Sequence, residues 1–155
     1  MQDQFDDNGT RSQCNATAMR KASRRLTQLY DDALVPCGLR STQYTILSEL
    51  ILRQAEPPTM HELADALVLD RSTLGHNLRP LERDKLIAFE ESSEDRRCRH
   101  VVMTRRGFAK FRQATPHWQV AQSRFDDVFG KSNASGLRKT LSEIAYDERL
   151  ATLDD

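Results

Sequence analysis

Arg71, Ser72, Thr73, His76, Asn77 and Arg79 fall within nine residues and are interrupted only by Leu74, Gly75 and Leu78. Short hydroxyl, amide and imidazole side chains beside guanidinium groups are the set that hydrogen-bonds to base edges and phosphates. Leu74, Leu78 and Leu81 recur at steps of four and three, so the same stretch predicts a helix over roughly 71–84 with one buried stripe. No carboxylate enters until Glu82, whereas an ordinary solvated face alternates lysine and glutamate. A second cluster follows in "SEDRRCRH", where Arg96, Arg97, Arg99 and His100 come just after two acidic residues and lie between the β-prone runs "LIAF" and "VVM". That arrangement puts guanidinium groups at the tip of a predicted hairpin.

Other chemistries find no support. No P-loop, H-E-x-x-H, G-x-S-x-G or paired-carboxylate arrangement occurs, and His61, His76, His100 and His117 lack metal-ligand spacing. Neither an enzymatic role nor a cofactor or metal is expected. Cys14, Cys37 and Cys98 form no CxxC pair, so reduced thiols are expected rather than a disulfide framework.

At 155 residues, one domain is expected. No apolar run approaches the roughly 20 residues that cross a bilayer, and the acidic, polar "MQDQFDDNGTRSQ" lacks a signal-peptide core, which points to the cytosol. Lysine plus arginine balance aspartate plus glutamate at 23 each, so only the distribution of charge is informative. Six basic residues between Arg11 and Arg40 face only Asp31 and Asp32, while Glu143, Asp147, Glu148, Asp154 and Asp155 face only Arg149 at the other end.

The remaining elements must position these clusters. Ala18, Ala22, Leu26, Leu29 and Ala33 predict a long first helix that "VPCG" stops. Tyr44, Leu47 and Ile51 mark a second, begun by Ser41 and ended before Pro57 and Pro58. "TMHE" is a capping box that opens a short helix carrying Leu63, Ala64 and Leu67. Asp70 is the expected N-cap of the polar helix, with Leu69 and Leu74 as its hydrophobic staple. Two helices so closely spaced predict a helix-turn-helix. Pro80 predicts a bend near Asn77. From Thr104 a long helix runs towards Gly130 with Phe108, Phe111, Thr115, Trp118, Phe125 and Phe129 near one seam and Pro116 as a kink; after "KSN" a last helix carries Leu137, Leu141 and Ile144.

This order, together with E-L-A-x-x-L at Glu62–Leu67, L-x-x-L-E-R-D-x-L-I at Leu78–Ile87, and D-R-R at Asp95–Arg97 before "MTRRG", resembles the MarR family of winged helix-turn-helix transcription regulators. The resemblance spans about Gln13 to Leu150. It implies a mainly α fold with a small β-hairpin wing: a flexible tail over 1–12, dimerisation helices over 13–36 and 105–155, and a winged helix-turn-helix over 41–104. It implies a homodimer that reads an inverted repeat in double-stranded DNA, with half-sites about 10 base pairs or 34 Å apart. In that picture Arg71, Ser72, Thr73, His76, Asn77 and Arg79 enter a major groove. Arg97 enters the adjacent minor groove, Asp95 holds the wing in shape, and Arg96 and Arg99 serve phosphates.

Relatives release DNA when a small phenolic or aromatic-carboxylate ligand enters a cleft between the first, second and fifth helices, or when a cysteine is oxidised. For a ligand, the expected lining is Tyr30, Tyr44, His117 and Trp118, with Arg112 as an anion partner. For oxidation, the candidates are Cys14, with Arg11 to depress its pKa, and Cys98 among the wing arginines. Cys14 sits about two residues early in the family's register, and Ala18 stands where a tyrosine is expected. The alternative from another class is a winged-helix module for protein–protein contact, in which the wing arginines would be dispensable.

Overall fold

The computed structural model describes residues 14–92 and 98–152. In chain order it contains α1 (Asn15–Leu34), a 3-10 turn (Val35–Cys37), α2 (Ser41–Leu52), α3 (Met60–Ala66), α4 (Arg71–Arg83), β1 (Ile87–Glu91), β2 (Arg99–Met103), α5 (Arg105–Phe129), α6 (Lys131–Ala145) and a second 3-10 turn (Glu148–Leu150). It is a winged helix-turn-helix carried on long flanking helices.

Side-chain caps set most of the helix starts. The Thr59 hydroxyl accepts from the Glu62 amide at 3.3 Å, and the Glu62 carboxylate accepts from the Thr59 amide at 2.8 Å, closing the capping box of α3. Asp70 accepts from the Thr73 amide at 2.8 Å, and Thr104 from the Gly107 amide at 3.0 Å. At α2 the helix begins at Ser41 as expected, but the cap is supplied from elsewhere. The Ser41 amide donates to Asp31 of α1 at 2.7 Å, and the Arg40 amide donates to the Gln43 side chain at 2.9 Å.

Helix ends are tighter than the sequence suggested. α3 closes with the amide of Val68 on the Asp65 carbonyl and that of Leu69 on the Ala64 carbonyl; α4 repeats the pattern with Lys85 on Glu82 and Leu86 on Leu81. Both motifs need a left-handed residue, and the chain uses Val68 at φ 52° and Lys85 at φ 58° where glycine is the usual choice. α4 runs through Pro80 to Arg83, close to the extent its spacing predicts. The proline removes one amide donor, while Leu78 and Leu81 on either side are buried to 2% and 1% exposure and hold the last turn against the core. α5 likewise continues through Pro116. "KSN" is no loop: Gly130 at φ 84° makes the corner alone, and Lys131–Asn133 are already the first turn of α6.

The core gathers Leu34, Ile46, Leu47 and Leu50 with Leu63, the α4 leucines, Leu86, Ile87 and Val101. β1 and β2 pair antiparallel, Ile87 opposite Met103 through Glu91 opposite Arg99. A two-stranded hairpin is marginal alone, and here residues 57–59 add to it. Val101 donates to the Pro58 carbonyl at 2.8 Å, and Thr59 bridges His100. His100 is therefore no tip residue: it is half-buried and its Nδ1 lies 2.7 Å from the Pro57 carbonyl oxygen.

Gly107 explains the "MTRRG" stretch. A Cβ there would sit 2.1 Å from the Leu86 carbonyl oxygen, so only glycine lets the first turn of α5 pack onto the end of α4. Thr104 completes the junction, its hydroxyl donating to the Lys85 carbonyl at 2.7 Å.

Candidate nucleic-acid interface and effector cleft

With 100° per residue, the buried leucines of α4 and the positions of Ser72, His76, Arg79 and Arg83 lie on opposite faces. All four of the latter, and Arg71, are exposed. Neither Arg71 nor Arg79 has an ion-pair partner among the described residues, whereas Arg83 is held by Asp84 at 3.0 Å. Thr73 and Asn77 are less free than their types suggested. The Thr73 hydroxyl donates to Asp70, and the Asn77 amide donates back to the Thr73 carbonyl at 2.9 Å, so part of each side chain serves the helix itself. The Thr73 hydroxyl and amide, in that order, hold the Asp70 carboxyl below the ordinary range, which keeps the cap ionised.

In the wing, Arg99 is exposed on β2 with its guanidinium 4.8 Å over the Phe89 ring. This stacking fixes the stem of the hairpin and leaves the guanidinium edge open. Asp95, Arg96 and Arg97 lie outside the described residues, and so do Arg11 and the rest of the tail over 1–12.

A cleft of 840 Å³ opens between α1, the start of α2, the turn joining α3 to α4, α5 and α6. Of the expected lining residues, Tyr30 and Trp118 border it, their ring centroids 6.3 Å apart. Tyr44 stands behind Trp118, buried and stacked at 5.7 Å, and its hydroxyl donates to Thr115 at 3.3 Å. His117 and Arg112 do not border the cleft; Arg112 is exposed. Residues whose spacing pointed only to packing complete the lining, above all Leu67 and Leu69 of the helix-turn-helix and Leu137, Leu141 and Ile144 of α6. The Tyr30 hydroxyl donates to Gln122 at 2.8 Å. Burial, then the nearby Asp126 carboxylate, push its pKa up against the opposing effect of Arg138.

The cysteines are all free thiols. Cys14 is exposed immediately before α1, and the Thr17 hydroxyl, then the Thr17 amide, hold its pKa below the usual thiol value, with Arg20 adding a smaller effect. Cys98 is exposed at the wing. Cys37 is buried against α5, its Sγ 3.7 Å from the Gln113 carbonyl oxygen. No helix among the described residues is long and apolar enough to cross a membrane.

The model of the MarR family matches residues 39–99. No curated protein sequence matches. Among solved structures, the chain is 32% identical to the transcriptional regulator MosR of M. tuberculosis in complex with DNA, covering 86% of this chain and 94% of that one at a TM-score of 0.76. It is 30% identical to AbsC, a MarR family transcriptional regulator from Streptomyces coelicolor, covering 86% and 90% at a TM-score of 0.73. The transcriptional repressor CouR of Rhodococcus jostii RHA1, bound to a 23-mer DNA duplex, is 25% identical, covering 88% and 96% at a TM-score of 0.77. Shared sequence over nearly the full length, together with the helix-turn-helix and its wing, makes this chain a DNA-binding regulator, and it belongs to the MarR family of transcription regulators.

Proposed function

We propose that the protein is a homodimeric repressor that reads an inverted-repeat operator, with α4 in the major groove and the 92–99 wing in the adjacent minor groove. The observation that carries this reading is the carboxylate-free stripe of Ser72, His76 and Arg79, with Arg71 at its start, directly opposite the leucines that lock α4 to the core. Base edges are met by Ser72, Thr73, His76 and Asn77, phosphates by Arg71, Arg79, Arg96 and Arg99, and the minor groove by Arg97, with Asp95 shaping the loop. Subunits join through the segments 13–36 and 105–155. Support comes from the apolar side chains these segments leave exposed outside the cleft, among them Val120, Val128, Phe129 and Leu150.

Release from DNA follows entry of a small aromatic molecule into the cleft beside Tyr30 and Trp118, or oxidation of Cys14 or Cys98. MosR, AbsC and CouR are transcriptional regulators, and two of them were solved on DNA, which supports the same role here.

The test is an anisotropy titration of a labelled fragment from upstream of the coding region. Arg97→Ala should weaken specific binding by about 1–3 kcal/mol, and affinity should fall steeply with salt. Unchanged operator affinity for that variant contradicts the assigned role. Peroxide treatment of the same complex separates the two release routes, because retained DNA binding rejects the thiols.

A further inference from the structure

The lining of the cleft is chemically narrower than its location alone requires. Among the described residues 18 line it, and none is Asp, Glu, Lys, Arg or His; the polar groups are the Trp118 indole N–H and hydroxyls, contributed by Tyr30 and by serines and threonines of α1, α2 and α6. Two basic side chains next to lining residues are engaged in ion pairs. Arg138 pairs with Asp126 at 3.7 Å, beyond the Tyr30–Gln122 hydrogen bond, and Arg40 pairs with Asp31 at 3.3 Å, at the start of α2. An anion inside would leave water for a largely apolar wall, with no charged group among the described lining residues to offset the loss.

We propose that this cleft takes an uncharged, predominantly apolar molecule, and that it discriminates against aromatic carboxylates and other anions of the same size. The inference rests on reading the cleft as the effector site, and it narrows that site's ligand class. Its volume, 840 Å³, suits a molecule of drug size. Leu67 and Leu69 flank the left-handed Val68 in the turn that sets the entry of α4, so an occupant touches the joint that aims the recognition helix. Regulation then needs no charge on the ligand: apolar contact with that turn supplies the differential interaction between DNA-competent and released forms.

Trp118 is the only tryptophan in the chain and borders the cleft, so energy transfer from it reports a dye bound in or close to this site, and substitutions in the lining separate the cleft from its surroundings. The probes are N-phenyl-1-naphthylamine and 1-anilinonaphthalene-8-sulfonate, which share one aromatic skeleton and differ by a sulfonate on the ring itself. The full-length protein, first shown to bind its operator, is titrated with each. Energy transfer from Trp118 to the neutral dye is expected at about tenfold or lower concentration than to the sulfonate. Thr45→Lys, at an exposed lining position of α2, should reverse that preference. Ala22→Phe, which fills the cleft from α1, should abolish transfer to both. Equal affinities, a preference for the sulfonate in the unaltered chain, or indifference to both variants overturns the proposal. A DNA-binding protein whose Trp118 transfers to neither dye means that a second copy fills the cleft; that overturns this inference and leaves the operator reading intact. Loss of operator binding by the starting protein would instead sink the regulator reading.

Discussion

α4 and α6 are amphipathic helices of 13 and 15 residues, each with leucines or isoleucine at steps of three and four. In α4 the stripe is sealed: Leu74, Leu78 and Leu81 are exposed by 0%, 2% and 1%. In α6 only Ala134 is buried, Leu141 is 39% exposed, and Leu137 and Ile144 are half-covered. Local periodicity is the same in both, so it cannot distinguish a helix finished within its own chain from one that awaits a partner or a ligand. α4 is enclosed by α2, α3 and β1, whereas among the described residues the main packing partner of α6 is α5. The stripe of α4 is thus closed within the chain, and that of α6 is left open by it.

Substitutions should separate the two regions. Leu78→Ala is expected to cost about 2–5 kcal/mol in urea unfolding, because it opens a cavity in a closed core. The matching Leu141→Ala should leave the chain's own packing nearly intact and cost less than about 1 kcal/mol in the same measurement. Equal losses in the two variants would erase the contrast. Next in size, Gly107→Ala should destabilise by about 1–3 kcal/mol, because its Cβ meets backbone rather than a movable side chain. A thermal melt unchanged by that variant would place the α4–α5 junction among the tolerant regions.

Val68→Gly should move the other way and stabilise by about 0.5–1 kcal/mol. It relieves a β-branched residue at φ 52° whose side chain is 56% exposed and packs little. A loss of stability there would mean that Val68 contributes contacts beyond its backbone. The smallest effect concerns pH. The depressed Asp70 carboxyl favours the folded state at pH values above its unfolded pKa, and that contribution is lost as pH falls through the lower folded value. Asp70→Asn keeps a cap but cannot titrate, so its stability curve should be flatter below about pH 4. An identical acid limb in both proteins removes the cap from the account.

Legibility followed the range of the interaction. Caps at Thr59, Asp70 and Thr104 could be read because each is settled within three or four residues. Tyr30 and Trp118 were named as cleft residues, but Arg112 and His117 do not border the cleft, because helical spacing gives a face and not what that face meets. His100 read as one more basic group of the tip until its contact with Pro57, 43 residues earlier, drew it inward. Gly107 stood inside a recognised stretch without an evident reason, since the reason is the carbonyl of Leu86 across the α4–α5 junction.

By itself the sequence determined the order of the helices, the caps of α3, α4 and α5, the polar character of the α4 surface and the family. These depend on short spacings and on side-chain type, which the chain carries wherever it folds. Only the tertiary structure decided which apolar stripes are closed, how residues 57–59 brace the wing, and that no charged side chain among the described residues lines the cleft. Each of those depends on residues far apart in sequence meeting in space, and periodicity holds no information about that distance.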